Sequence, residues 1–260
     1  MNLNSDRKVR VFFIPIYFIS YKTPNDMKKY AIIVAGGKGN RMGETTPKQF
    51  LLLAGKPILM RTIEAFYTAS SQIELIVVLP SKDVELWNSL IQKYAFKINH
   101  KTVPGGDTRF HSVQNGLGHV HDNSLVAIHD GVRPLISAKI INLAYVDASK
   151  YGNAIASVKL KDSLRKIDIN SNCSVNREDY RLIQTPQTFK SSSIIDAFNQ
   201  VIDTNFTDDA GVLESLGGSI HLIDGDYHNI KITTKDDLVL AEAYFNEAKK
   251  LRVSKTDQGI

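Results

Sequence analysis

The sequence predicts a doubly wound α/β fold built on a mainly parallel sheet, and three observations carry that expectation. Short apolar, β-branched runs alternate with amphipathic helical stretches along most of the chain. The runs are apolar at successive rather than alternate positions, which suits strands covered by helices on both faces. Glycine turns and charged residues follow several of these runs, and open α/β sheets bind ligands at the carboxyl ends of their strands.

The elements follow in order. "YAIIV" (30–34), "ELIVVLP" (74–80), "LVAIHD" (125–130) and "AIASVKL" (154–160) read as buried strands. Helical spacing covers 57–69, opened by Pro57 in its first turn, then 82–94, 108–120 and 137–151. Further helices are expected over 191–201, 208–216 and 235–250, with a short strand at "NIKITT" (229–234) before the last. Residues 159–182 break this rhythm, because apolar and polar residues alternate there around the polar turn "NSN". That pattern predicts a β-hairpin projecting from the body. A two-stranded hairpin alone is marginal in water, so it is expected to pack against something, such as a second copy of the chain.

Composition narrows the function. The 260 residues are 43% hydrophobic and 23% charged, which is ordinary for a globular chain. Net charge is +5, of which +2 falls in residues 1–26, and no basic run or aromatic–basic stripe argues for nucleic acid. The single cysteine, Cys173, excludes an intrachain disulfide and a cysteine-built metal site, and fits a reducing, cytoplasmic location. Residues 1–26 contain basic residues followed by a short apolar stretch broken by Pro15, too short to span a bilayer, which takes roughly 20 apolar residues. Met27 is the expected natural start, with 1–26 an extension outside the fold. His119 and His121 fall at a helix end with no third metal ligand nearby in sequence, and read as surface or packing residues.

The chemistry concentrates in "AIIVAGGKGNRMGETTPKQF" (31–50). Gly36, Gly37 and Gly39 let the backbone approach a ligand and turn its N–H groups toward oxygen anions. Arg41 adds a forked cation and Lys48 a point charge, a set suited to a polyphosphate. The spacing matches neither the P-loop nor the dinucleotide-binding glycine pattern. "GGDTRFHS" (105–112) is a second glycine turn at a helix start, with Asp107 and Ser112 placed to pair with a base edge. "HDGVRP" (129–134) ends a strand with Asp130, a natural Mg²⁺ ligand beside a nucleotide, and with Arg133. Lys231 in "NIKITT" reads as a phosphate-neutralising cation if it points inward.

Taken together, AGGKGNRM, PKQ, GGDTRFHS, HDGVRP, Asn176–Arg177, QTPQ (184–187), TDDA (207–210) and NIKIT occur in an order that resembles the 2-C-methyl-D-erythritol 4-phosphate cytidylyltransferase family. The resemblance runs from about Lys28 to Ala248. It implies a Rossmann-like nucleotidyltransferase fold over 27–250, with a dimerisation arm at about 159–182 and a C-terminal tail at 251–260. It implies transfer of a cytidylyl group from CTP to the sugar-alcohol phosphate with release of pyrophosphate, Mg²⁺ as cofactor, and a homodimer with no nucleic-acid or membrane partner. Carried over, Arg41 and Lys48 stabilise the transition state, while Arg177 and Lys231 position the acceptor phosphate. Ala35, Gly106, Asp107 and Ser112 read the cytosine edge. Asp130 and Arg133 face the metal and acceptor, and hydroxyls of Ser163, Thr185 and Thr207 line the acceptor pocket. Two positions depart from the pattern: Ser163 replaces the usual threonine, and Val132 is a residue type seen in the sister ribitol-5-phosphate cytidylyltransferases. The sister activity is therefore an alternative, and a catalytically silent nucleotide-binding protein a distant one.

Overall fold

The structure, a computed structural model, describes residues 27–36 and 46–257. The chain opens with β1 (Lys29–Val34), then a small hairpin of β2 (Leu52–Leu53) and β3 (Lys56–Pro57) that runs into α1 (Ile58–Ala69). After it come β4 (Ile73–Leu79), α2 (Val84–Lys93), β5 (Lys101–Pro104), α3 (Arg109–Leu117), β6 (Leu125–Asp130) and α4 (Ala138–Tyr151). Next are β7 (Asn153–Lys159), β8 (Leu164–Ile167), β9 (Asn172–Val175), β10 (Arg181–Lys190), α5 (Ser191–Gln200), α6 (Asp209–Glu214), β11 (Leu222–Asp224) and α7 (Lys235–Asp257).

Seven strands form the central sheet in the order β11-β7-β10-β6-β1-β4-β5. All its pairings are parallel except those of β10, which runs antiparallel to both β6 and β7. Strands β1 and β6 are buried at nearly every position, the burial their unbroken apolar runs require. One face packs against α1, α2 and α4 through Leu59, Ile63, Phe66, Trp87, Ile141 and Tyr145. The other packs against α3, α5 and α6 through Phe110, Val113, Leu117, Ile194, Phe198 and Val212. A third cluster joins Leu53 and Ile58 to Val132, Ile232 and Ala241 of α7. From β1 the chain adds β4 and β5 on one side and then crosses to add β6 on the other. The strand order thus reverses between β1 and β6, and the crevice at their carboxyl ends is where such sheets bind ligands.

The expected hairpin is present: β8 and β9 pair Leu164 with Val175 and Ile167 with Asn172 in a sheet of their own. Its root is the pairing of Lys159 with Arg181. Other expectations need correction. Residues 229–234 form no strand; a single backbone bond from the Ile232 amide to the Val132 carbonyl (3.0 Å) holds them beside the sheet. Strand β10 is longer and more central than a hairpin leg, and β5 and β11 are additional. Both are short, of 4 and 3 residues, and the ladder rather than a local pattern defines them. Lys82 lies in a 3-10 turn (Ser81–Asp83) before α2, and α7 runs to Asp257 instead of Lys250.

Candidate active site

Of the residues expected on the nucleotide side, Ala35 and Gly36 follow the carboxyl end of β1. The Ala35 amide donates to the Val78 carbonyl at 2.9 Å, continuing the sheet one residue past the strand. Gly36 follows, facing Ser112: a β-carbon there would lie 3.8 Å from Ser112 Oγ. Gly37, Gly39 and Arg41 lie outside the described residues. A 3-10 turn, Lys48–Phe50, is entered through Pro47. Gln49 anchors that turn by donating to Asp83 (3.2 Å), and Phe50 stacks on Trp87. Lys48, only partly buried, is carried by this pinned turn.

Across the crevice, Thr108 caps α3 by accepting from the His111 amide, and the 105–112 turn folds over Ser112. The Ser112 hydroxyl donates to the Thr108 carbonyl (2.9 Å) and accepts from the Gly106 amide (3.2 Å). A hydroxyl has one proton and two lone pairs, so one acceptor lone pair remains on this buried oxygen. Asp107 is exposed on the rim of the same turn.

The second half of the site is built around Asp130, the last residue of β6, opposite Val34 in the register with β1. Its carboxylate is buried, and Oδ2 accepts from Arg133 Nε and from Lys231 Nζ, each at 3.1 Å. Arg109 Nε stands 3.9 Å from Oδ1. Burial alone would push this carboxyl up; Lys231, Arg109 and Arg133 overcome it and hold the group well below the usual carboxylate range. Gly131 is required by close approach: a β-carbon would sit 2.9 Å from that of Ala35 and 3.2 Å from the Val34 carbonyl oxygen. Lys231 reaches Asp130 because its neighbour Ile232 is buried in the third cluster, and because Asn229 is tied on two sides. The Asn229 carbonyl accepts from Arg133 Nη1 (2.8 Å), and its side-chain amide donates to the Thr185 carbonyl (2.8 Å). Thr185 is buried, and its hydroxyl accepts from the Asp130 amide at 3.1 Å.

Two residues absent from the expected set complete the cluster. Arg109 forms a bidentate pair with Asp209, Nη1 to Oδ1 at 2.7 Å and Nη2 to Oδ2 at 2.6 Å, and Asp209 is fully buried. Burial raises the Asp209 carboxyl and Arg109 opposes it, and the fork gives each carboxylate oxygen its own donor. The carbonyl oxygen of the Gln187 side chain accepts from the Asp209 and Ala210 amides, and its NH₂ donates to Asp208 at 3.0 Å. The QTPQ and TDDA segments therefore lock together, leaving Thr207 exposed beside them. Arg109 stands inside a predicted motif, but only its partner across 100 residues gives it a role.

Ser163 and Arg177 lie on the projecting arm, both exposed. Arg177 donates to the Lys161 carbonyl at 2.6 Å, so it is held on the arm itself, apart from the Asp130 cluster. Val132, by contrast, is buried among Leu53, Ile58, Ile232 and Ala241, so its side-chain type follows core packing. Among the described residues, no group of three or more His, Cys, Asp or Glu side chains is arranged to hold a metal ion, and no helix is long and apolar enough to cross a membrane.

This arrangement offers a crevice at a strand-order reversal, a turn folded over Ser112, and a cationic cluster ordered by one carboxylate. It suits a nucleotide beside a second anionic substrate. Comparison with known proteins agrees. The family model described as IspD, 2-C-methyl-D-erythritol 4-phosphate cytidylyltransferase, matches residues 30–247. A protein of that name from Azobacteroides pseudotrichonymphae is 52% identical over 219 residues, covering 83% of this chain and 98% of the relative. One from Phocaeicola vulgatus is 44% identical over 216 residues, covering 83% and 99%. The crystal structure of 4-diphosphocytidyl-2C-methyl-D-erythritol synthase from Anaerococcus prevotii superposes with a TM-score of 0.73 at 30% identity, covering 85% of this chain and 96% of that one. With its fold, its ordered motifs and these relatives in agreement, the chain belongs to the 2-C-methyl-D-erythritol 4-phosphate cytidylyltransferase family.

Proposed function

We propose that the protein transfers a cytidylyl group from CTP to 2-C-methyl-D-erythritol 4-phosphate, releasing pyrophosphate, in non-mevalonate isoprenoid precursor synthesis. The observation that carries this reading is the Asp130 cluster at the β1/β6 crevice, in a chain of this family. A phosphate oxygen of the acceptor attacks the α-phosphorus of CTP. A new P–O bond forms, the bond to the oxygen bridging toward the β-phosphorus breaks, and pyrophosphate leaves. No covalent enzyme intermediate is needed, so positioning and charge neutralisation supply the catalysis.

In this reading Arg41 and Lys48 neutralise the triphosphate as charge shifts to the leaving group, with backbone amides at Gly36, Gly37 and Gly39 around it. Ser112, Gly106 and Asp107 select the base. Because the Ser112 proton is committed to the Thr108 carbonyl, the remaining lone pair suits the amine of cytosine and opposes the carbonyl of uracil. Lys231 and Arg133 bind the acceptor phosphate, Asp130 holds both cations in place until it arrives, and Thr185 and Thr207 border the pocket. Arg177 and Ser163 act from the arm of a second copy in a homodimer. The exposure of Ile167 and Ile169 on that arm (73% and 98%) supports the pairing of two chains.

The residues fit Mg²⁺ in the manner usual for nucleotide enzymes, through one protein carboxylate and substrate phosphates. Asp130 supplies that carboxylate, and its Oδ1 is the oxygen with the more distant cation. When bound, the ion neutralises phosphate oxygens. A cytoplasmic location, with residues 1–26 outside the catalytic domain, completes the reading.

The test is pyrophosphate release by purified protein with CTP, Mg²⁺ and each acceptor in turn. Methylerythritol phosphate is expected to be preferred, and Lys48→Ala is expected to lower turnover by about 10²- to 10³-fold. Preference for ribitol 5-phosphate, or no release with either acceptor, overturns the assignment.

A further inference from the structure

Next to Asp130 stands a residue with no role so far, whose surroundings specify its chemistry atom by atom. His129 is fully buried on β6, its ring meeting Phe66 edge-on at 5.0 Å. Nε2 lies 3.1 Å from the Arg133 carbonyl oxygen, and Nδ1 lies 3.0 Å from Thr185 Oγ1. A carbonyl can only accept, so Nε2 carries a proton. The buried Thr185 hydroxyl accepts from the Asp130 amide at 3.1 Å, and Nδ1 is the acceptor that faces its proton, so the hydroxyl donates to Nδ1 and that nitrogen carries no hydrogen. Every hydrogen in the chain Asp130 N–H, Thr185 O–H, His129 Nε2–H, Arg133 C=O is assigned by elimination.

We infer that His129 is a positioning residue for cytidylyl transfer: locked as the Nε2–H tautomer, it joins the Thr185 hydroxyl to the Asp130–Arg133 turn and so sets the acceptor-side charges. The joint ties three segments together. The Asp130–Arg133 turn is closed by its own backbone bond, Arg133 N to Asp130 O at 3.1 Å. Strand β10 contributes Thr185 where its register with β7 shifts between Ile183 and Gln187. The Thr185 carbonyl in turn accepts from Asn229, which fixes the segment carrying Lys231. One imidazole thus holds Arg133 directly, Asp130 through the Thr185 hydroxyl, and the Lys231 segment through the Thr185 carbonyl and Asn229. It also leaves the Thr185 proton committed to the fold, so this hydroxyl shapes the pocket rather than donating to substrate.

The inference rests on the cytidylyltransferase reading, and the experiment separates the two. Nitrogen-15 NMR of histidine-labelled protein at neutral pH is expected to show His129 protonated on Nε2 and unprotonated on Nδ1; the opposite tautomer, or a doubly protonated ring, overturns the inference whatever the activity. In pyrophosphate-release kinetics, His129→Phe keeps the ring volume and loses both bonds. It is expected to raise KM for the acceptor and lower kcat by about tenfold to a hundredfold in kcat/KM, with KM for CTP unchanged. His129→Asn returns an acceptor near the Nδ1 position and is expected to recover kcat, which also decides the matter if the Phe variant does not fold. Equal losses for both substrates, or no recovery with Asn, mean that His129 serves stability alone. A wild-type protein that releases no pyrophosphate overturns the enzymatic reading and this role together, whereas active wild type with unaffected variants overturns this role only.

Discussion

Replacing Asp130 with asparagine removes a charge and almost no volume, so its effect isolates the electrostatics of the acceptor side. The carboxylate has two cations at 3.1 Å and a third at 3.9 Å. Coulomb's law at 3.1 Å, with an effective dielectric of about 20, gives about 5 kcal/mol per contact before desolvation is counted. Lys231 is 42% exposed, so solvent screens its share, whereas Arg133 at 11% keeps most of its own. Breaking a buried pair from one side costs about 3–5 kcal/mol. The lower end applies here, about 3 kcal/mol, because asparagine still accepts one hydrogen bond. The melting temperature of Asp130→Asn is then expected to fall by about 6–12 °C, at about 2–4 °C per kcal/mol in chains of this size.

The pH dependence supplies an internal control. The folded Asp130 carboxyl lies below its unfolded value of about 3.9, so its stabilisation is complete above that value and is lost as pH falls below it. Between neutral pH and about pH 3, the gap between wild type and variant is expected to narrow by about 1 kcal/mol. Scanning calorimetry at both pH values measures both quantities. A variant within about 0.5 kcal/mol of wild type at neutral pH would show that the three cations do not depend on Asp130.

Three further outcomes are expected. Ser112→Ala should cut the preference for CTP over UTP about tenfold in kcat/KM; an equal loss for both nucleotides would remove Ser112 from base selection. Asp209→Asn should destabilise by about 3 kcal/mol in urea unfolding and raise KM for the acceptor, since Arg109 loses its fork and shifts toward Asp130; an unchanged KM would limit the pair to structural support. Ile167→Ser combined with Ile169→Ser should shift sedimentation from dimer to monomer and lower activity per chain, and a sedimentation profile identical to wild type would exclude the arm from dimerisation.

Much of this architecture was legible in local patterns. The runs at 30–34, 74–80, 125–130 and 154–160 lie within or overlap β1, β4, β6 and β7, because a strand buried on both faces must be apolar at consecutive positions. The 159–182 alternation marked the β8–β9 arm, since a hairpin with a solvated face must alternate. What local pattern missed depends on distant pairing. Strand β10 carries QTPQ, which has no strand periodicity, and becomes central only by pairing with β6 and β7. NIKITT has strand-like alternation yet forms no ladder, because Ile232 alone bonds across to Val132 while Asn229 and Ile230 bond within their own segment. Val132, the residue type shared with the sister enzymes, lies in a packed cluster that only the tertiary structure assembles.

The sequence by itself determined the class of fold, the buried strands at 30–34, 74–80, 125–130 and 154–160, and the family, because burial periodicity and motif spacing are local properties of the chain. Tertiary structure alone decided which charges meet. Asp130 finds Arg109, Arg133 and Lys231, Arg109 finds Asp209, and His129 finds Thr185, across separations of 3 to 101 residues. The physical reason is that an ion pair or a tautomer is fixed by distance and burial in space, which the sheet order and cluster packing set and no single stretch of sequence contains.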